Sequence, residues 1–112
     1  MATRVRSSEE WIEIATGRIA RRFDPLRIIL FGSRARREDR QGSDVDLLVV
    51  LSAVEDKHRA AVEIRRLLAD IPLAKDIIVT TPGEIVRRGD IIGSILRPAV
   101  REGKVLYERV NS

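Results

Sequence analysis

Leu30-Phe31-Gly32-Ser33-Arg34-Ala35-Arg36, followed a few polar residues later by Ser43-Asp44-Val45-Asp46-Leu47, is the stretch that decides how this chain reads. Arg27 to Phe31 is a short apolar run rich in β-favouring residues, and it stops at Gly32-Ser33. Val45 to Leu51 is a second such run, entered from a loop that contains Gln41-Gly42-Ser43. Both are expected to be strands of a buried sheet, with a short helix from Arg34 to Glu38 opening after the first.

Asp44 and Asp46 stand two apart at the start of the second strand. Side chains alternate between the faces of a strand, so both carboxylates point the same way while Val45, Leu47, Val49 and Leu51 take the other face. Two carboxylates held side by side repel each other and raise each other's pKa unless a cation lies between them, which fits a Mg²⁺ site. Taken alone, an Asp-x-Asp pair is more often an ordinary solvated strand entry, and Gly-Ser alone is a strand-to-helix turn with a serine cap. Together they mean more. Gly32 permits close backbone approach, and the free N–H groups of a helix start, with the Ser33 hydroxyl, can bind phosphate oxygens. A phosphate cradle then faces a metal site.

Working outward, Ser7-Ser8-Glu9-Glu10 has the form of a capping box, and Ile12, Ala15, Ile19 and Phe23 follow at helical spacing. A first helix is expected from about Ser8 to Phe23, ended by Asp24-Pro25. Between Glu55 and Ile71, the apolar residues Ala60, Ile64, Leu67, Leu68 and Ile71 form one face of a helix closed by Pro72. Lys75 to Thr80 reads as a third strand. Thr81-Pro82-Gly83-Glu84 is a helix start, with a threonine cap, proline at the first helical position and a glutamate three residues after the cap. Helical character is expected again from Ile91 to Glu102, with Pro98 as a kink or restart, before a last strand from Lys104 to Glu108. Arg109 to Ser112 read as loose.

With 112 residues, the chain suits one compact domain over 1–112, of about four strands and four helices. The fold class is α/β (α+β), a mixed sheet flanked by helices. Hydrophobic residues make up 44% and charged residues 34%, which excludes a disordered chain, and no apolar run is long enough to span a membrane. The absence of cysteine excludes disulfides and thiolate metal sites, and Met1 to Arg4 lack a signal-peptide core, so a cytoplasmic location is the expectation. The net charge is +4, with only three lysines among 21 basic residues. Arginine suits bidentate phosphate contacts, although an arginine-rich genome explains the overall excess as well.

The two motif halves resemble the G-S-x10-D-x-D signature of the DNA polymerase β-like nucleotidyltransferase superfamily, and more narrowly the MNT-type minimal nucleotidyltransferases. The leading helix, the third strand with Asp76 and the closing Gly103 to Glu108 are similar to that group too. The resemblance implies a polymerase β-like fold, Gly32 and Ser33 on the terminal phosphates of a nucleotide, and Asp44 and Asp46 on Mg²⁺. Its third carboxylate maps to Asp76 in Lys75-Asp76-Ile77-Ile78-Val79. Independently, a carboxylate entering an apolar strand is unfavourable to bury unless paired or metal-bound, the alternative being a strand-edge charge paired with Lys75 or another base. One departure is Arg37, where the family commonly has glycine; in a left-handed conformation that costs roughly 1–2 kcal/mol. Arg34, Arg36, Arg37 and Arg40 can neutralise a triphosphate or form a solvated basic loop, with Arg34 and Arg36 the first candidates for nucleotide binding.

The implied reaction is attack of an acceptor hydroxyl on the α-phosphate of an NTP, with two Mg²⁺ ions and ATP as the leading substrate. A chain this short has no evident site for tRNA, DNA or an antibiotic, so direct nucleic-acid binding is not expected and a partner must supply the acceptor. MNT proteins are often encoded beside a HEPN-family toxin and adenylylate one of its tyrosines as antitoxin. The alternatives are a non-catalytic antitoxin that masks a partner ribonuclease, and a nucleotidyltransferase subunit acting on a small molecule such as an aminoglycoside. His58 is expected to be exposed, and Trp11 to be a core or interface anchor.

Overall fold

A computed structural model describes residues 6–31, 45–88 and 103–109 of the chain. The expected helices at 34–38 and 91–102 lie outside these residues.

Helix α1 spans Ser8–Phe23. Ser7 is its N-cap, its Oγ accepting the Glu10 N–H at 3.2 Å, and Glu9 and Glu10 place negative charge in the first turn. The helix buries Ile12, Ala15 and Ile19 and ends at Asp24, which adopts a left-handed conformation (φ 46) and donates its N–H to Ala20 O at 3.1 Å.

Strands β1 (Arg27–Phe31), β2 (Val45–Val50), β3 (Lys75–Thr80) and β4 (Lys104–Glu108) form one sheet in the order β3-β2-β1-β4. β1 is antiparallel to both β2 and β4, whereas β2 and β3 are parallel and connected through α2 (Lys57–Leu67), so the sheet is mixed. This is the expected architecture. Parallel neighbours need a crossover connection, and the amphipathic 57–67 segment provides it.

Both faces of the sheet are covered. Ile28, Leu30, Val45, Leu47, Val49, Ile77 and Val79 pack with Ile12, Ala15 and Ile19 of α1 and with Ala60 and Ile64 of α2. On the other face Ile29, Phe31, Leu48 and Val50 form a second cluster, against Leu26, Ile78 and Ile85. Burial on both faces explains why β1 and β2 read as continuous apolar runs rather than alternating ones. Ile85 comes from α3 (Pro82–Arg88), where the Glu84 N–H donates to the Thr81 cap hydroxyl at 3.4 Å.

Three boundaries depart from the sequence reading. α2 runs only from Lys57 to Leu67, capped by Asp56, and Leu68 and Ile71 reach the core from the turn beyond it. β2 ends at Val50, although Leu51 still donates its N–H to Thr80 O. Arg109 is not loose: its N–H donates to Leu26 O at 2.9 Å, and its guanidinium pairs with Asp24 at 3.2 Å. Residues 110–112 lie outside the described residues.

Candidate active site

The site is set by the register of the parallel pair. Val45 donates its N–H to Ala74 O at 2.8 Å and Leu51 donates to Thr80 O at 2.9 Å, pinning β2 to β3 at both ends. Between these points Asp46 is the direct partner of Asp76. Leu47 and Ile77 belong to the cluster under α1 and α2, while Leu48 and Ile78 belong to the opposite one, so Asp46 and Asp76 share the face of the sheet away from α1 and α2. Adjacent strands lie about 4.8 Å apart. Two aspartates 30 apart in sequence are therefore backbone neighbours across the strand pair.

Asp46 is partly buried and Asp76 is exposed. Phe31, the last residue of β1, is the antiparallel partner of Asp46, and Gly32 and Ser33 follow Phe31 in the sequence. Gly32, Ser33, Arg34, Arg36, Arg37 and Asp44 lie outside the described residues.

Asp76 has a base beside it, but not Lys75. The Lys75 ammonium donates to Ile71 O at 2.8 Å and Leu73 O at 2.9 Å, tying down the turn before β3. Arg65, in the last turn of α2, instead places Nη2 3.3 Å from Asp76 Oδ1, with both side chains 52% exposed. Sequence reasoning missed this arginine. It is one of several basic residues on α2, and nothing in their spacing singles out the one that reaches β3.

The donor set suits a hard divalent cation. Carboxylate oxygens on a rigid strand pair are the ligands that Mg²⁺ prefers, and a cation offsets the repulsion between neighbouring acids. Among the described residues no group of three potential metal ligands occurs.

The family "Polymerase beta, Nucleotidyltransferase" matches residues 16–112, and the chain belongs to that family. Among solved structures, the chain is similar to a Sulfolobus solfataricus protein described as a candidate nucleotidyltransferase. That match has 23% identity and a TM-score of 0.64, covering 89% of this chain and 79% of that one. It is also similar to a toxin–antitoxin structure solved with AMP-PNP, at 22% identity and a TM-score of 0.61, covering 87% of this chain and 73% of that one. At these identities the likeness establishes the fold. No curated protein matches the chain.

Proposed function

We propose that this nucleotidyltransferase-family chain transfers AMP from ATP to a hydroxyl of a partner protein, a tyrosine of a HEPN-family toxin, and so acts as its antitoxin. The observation that carries the reading is the side-by-side placement of Asp46 and Asp76 on one face of the sheet. Family membership supplies the reaction class, and the fold neighbour solved as a toxin–antitoxin with AMP-PNP supports ATP and a toxin partner.

In this reading Asp44, Asp46 and Asp76 would hold two Mg²⁺ ions, which would supply electrostatic stabilisation to the transferring phosphoryl group. The backbone and hydroxyl of Gly32-Ser33, with Arg34 and Arg36, hold the phosphates. The acceptor oxygen bonds to the α-phosphorus as the bond from that phosphorus to the bridging oxygen breaks. Its electron pair leaves on pyrophosphate, and the acceptor proton passes to a carboxylate oxygen of Asp76. The reaction belongs to the cytoplasm, where ATP is available, and no described helix is long and apolar enough to cross a membrane.

The test is the intact mass of the HEPN partner after incubation with the chain, ATP and Mg²⁺. An added AMP with wild type, absent with the Asp44→Asn/Asp46→Asn double variant, supports transfer. Neutralisation of the toxin without any mass change overturns it and leaves masking as the account.

A further inference from the structure

We propose that Arg65 is a positioning residue for Asp76, holding one carboxylate oxygen so that the other faces a metal. The inference rests on the reading of Asp76 as the third metal-binding carboxylate. Its geometric basis is the contact itself. The hydrogen bond between the two side chains runs from Arg65 Nη2 to Asp76 Oδ1, at 3.3 Å.

An aspartate on an edge strand has a side chain free to rotate, and Asp76 lies at the outer edge of the sheet, on β3. A donor on one oxygen removes much of that freedom and leaves lone pairs on the other. Metal sites use outer hydrogen-bond partners in this way, and losing one typically weakens metal binding by 10- to 100-fold.

Two other roles are open to Arg65, and they predict different results. As a plain surface ion pair between half-exposed groups it contributes little to anything. As a competitor for Asp76 it opposes the metal, and its removal tightens metal binding. Arg66 separates these from a charge effect at the end of the helix. It is exposed in the same last turn of α2 and carries the same charge.

The experiment is Mn²⁺ binding to the full chain, read from the loss of the free-ion paramagnetic resonance signal and needing no turnover. Arg65→Ala should bind Mn²⁺ about tenfold more weakly than wild type, at the low end of the outer-partner effect. Arg65→Lys should recover most of that loss, because one N–H to one oxygen is all the contact uses. Arg66→Ala should match wild type, and Arg65→Ala should add nothing in an Asp76→Asn background. Unchanged or tighter binding by Arg65→Ala overturns the proposal, as does Arg65→Lys behaving like Arg65→Ala. Wild-type Mn²⁺ affinity in Asp76→Asn alone instead removes the third-carboxylate reading, and the role of Arg65 with it. An Asp76→Asn loss with an unaffected Arg65→Ala removes only the role of Arg65.

Discussion

Asp46 and Asp76 are register partners across the parallel β2/β3 pair, and both face the side of the sheet away from α1 and α2. Asp46 thus sits on a central strand of the sheet and Asp76 on the edge strand beside it. Leu47 and Leu48, next to Asp46, are fully buried, so the strand that carries it has little room to move.

From this placement, Asp46→Asn should leave the fold intact and abolish the response to metal. A cation that binds only the native state stabilises it by about 2.7 kcal/mol at a hundred times its dissociation constant. Thermal unfolding should therefore shift upward with Mg²⁺ in wild type and stay still in Asp46→Asn, with transfer reduced at least about a hundredfold. An equal Mg²⁺ shift in both proteins would place the metal elsewhere.

Ser33→Ala tests the phosphate side. Removing one hydroxyl bond to a charged phosphate should weaken ATP binding about tenfold, while backbone N–H groups keep some activity. Calorimetry with AMP-PNP gives the affinity directly, and wild-type affinity in the variant rules out Ser33 as a phosphate ligand.

The parts of this arrangement legible in sequence were those set by local pattern. Two apolar runs gave β1 and β2, the Ser7 cap gave the start of α1, and the Thr81-Pro82 pair gave α3. Asp76 was legible as a candidate because a carboxylate opens an apolar strand, but its pairing with Asp46 depends on the β2/β3 register, which no local pattern encodes. Contacts across elements were illegible for the same reason. Arg65 reaches a residue 11 positions on, and the guanidinium of Arg109 ties back to Asp24 across most of the chain.

Glu84 shows how such a contact adds to a local reading. A glutamate three residues after a threonine cap suggests a capping box, and its carboxylate also accepts from the Thr80 hydroxyl at 3.3 Å and pairs with Lys57 at the start of α2. Thr80 is 1% exposed and the Glu84 side chain 12%, while the Lys57 side chain is 46% exposed, so the cluster ties β3, α2 and α3 together with its Thr80–Glu84 part buried. Glu84→Ala should cost about 1–3 kcal/mol, because it strands a buried hydroxyl and loses a charged partner. Glu84→Gln should cost less, since it can still accept from Thr80. Urea unfolding of the two variants checks the order, and equal losses would assign the effect to charge rather than to the hydrogen bond.

A second tie, between Arg18 of α1 and Asp70 after α2, makes stability depend on pH in a direction fixed by its geometry. The guanidinium meets both carboxylate oxygens, at 2.5 and 3.0 Å, and donates to Leu67 O at 3.2 Å as well. The hydrogen bonds from Arg18 hold the Asp70 carboxyl below its ordinary value of 3.8, more strongly than its partial desolvation raises it. The same contact raises Arg18, which stays charged throughout any usable range. A carboxyl that is more acidic folded than unfolded adds stability above its unfolded pKa and loses it as pH falls through the folded one. The contribution of Asp70 should therefore be constant at neutral pH, begin to fall near 3.8 and vanish at lower pH. Subtracting the unfolding free energy of Asp70→Asn from that of wild type at each pH isolates it from the other carboxylates. Exposure of the Asp70 side chain, at 64%, keeps the plateau small and makes it sensitive to salt. A difference that stays constant as the pH is lowered well past 3.8, or that grows, would show that the pair does not couple α1 to α2 through charge.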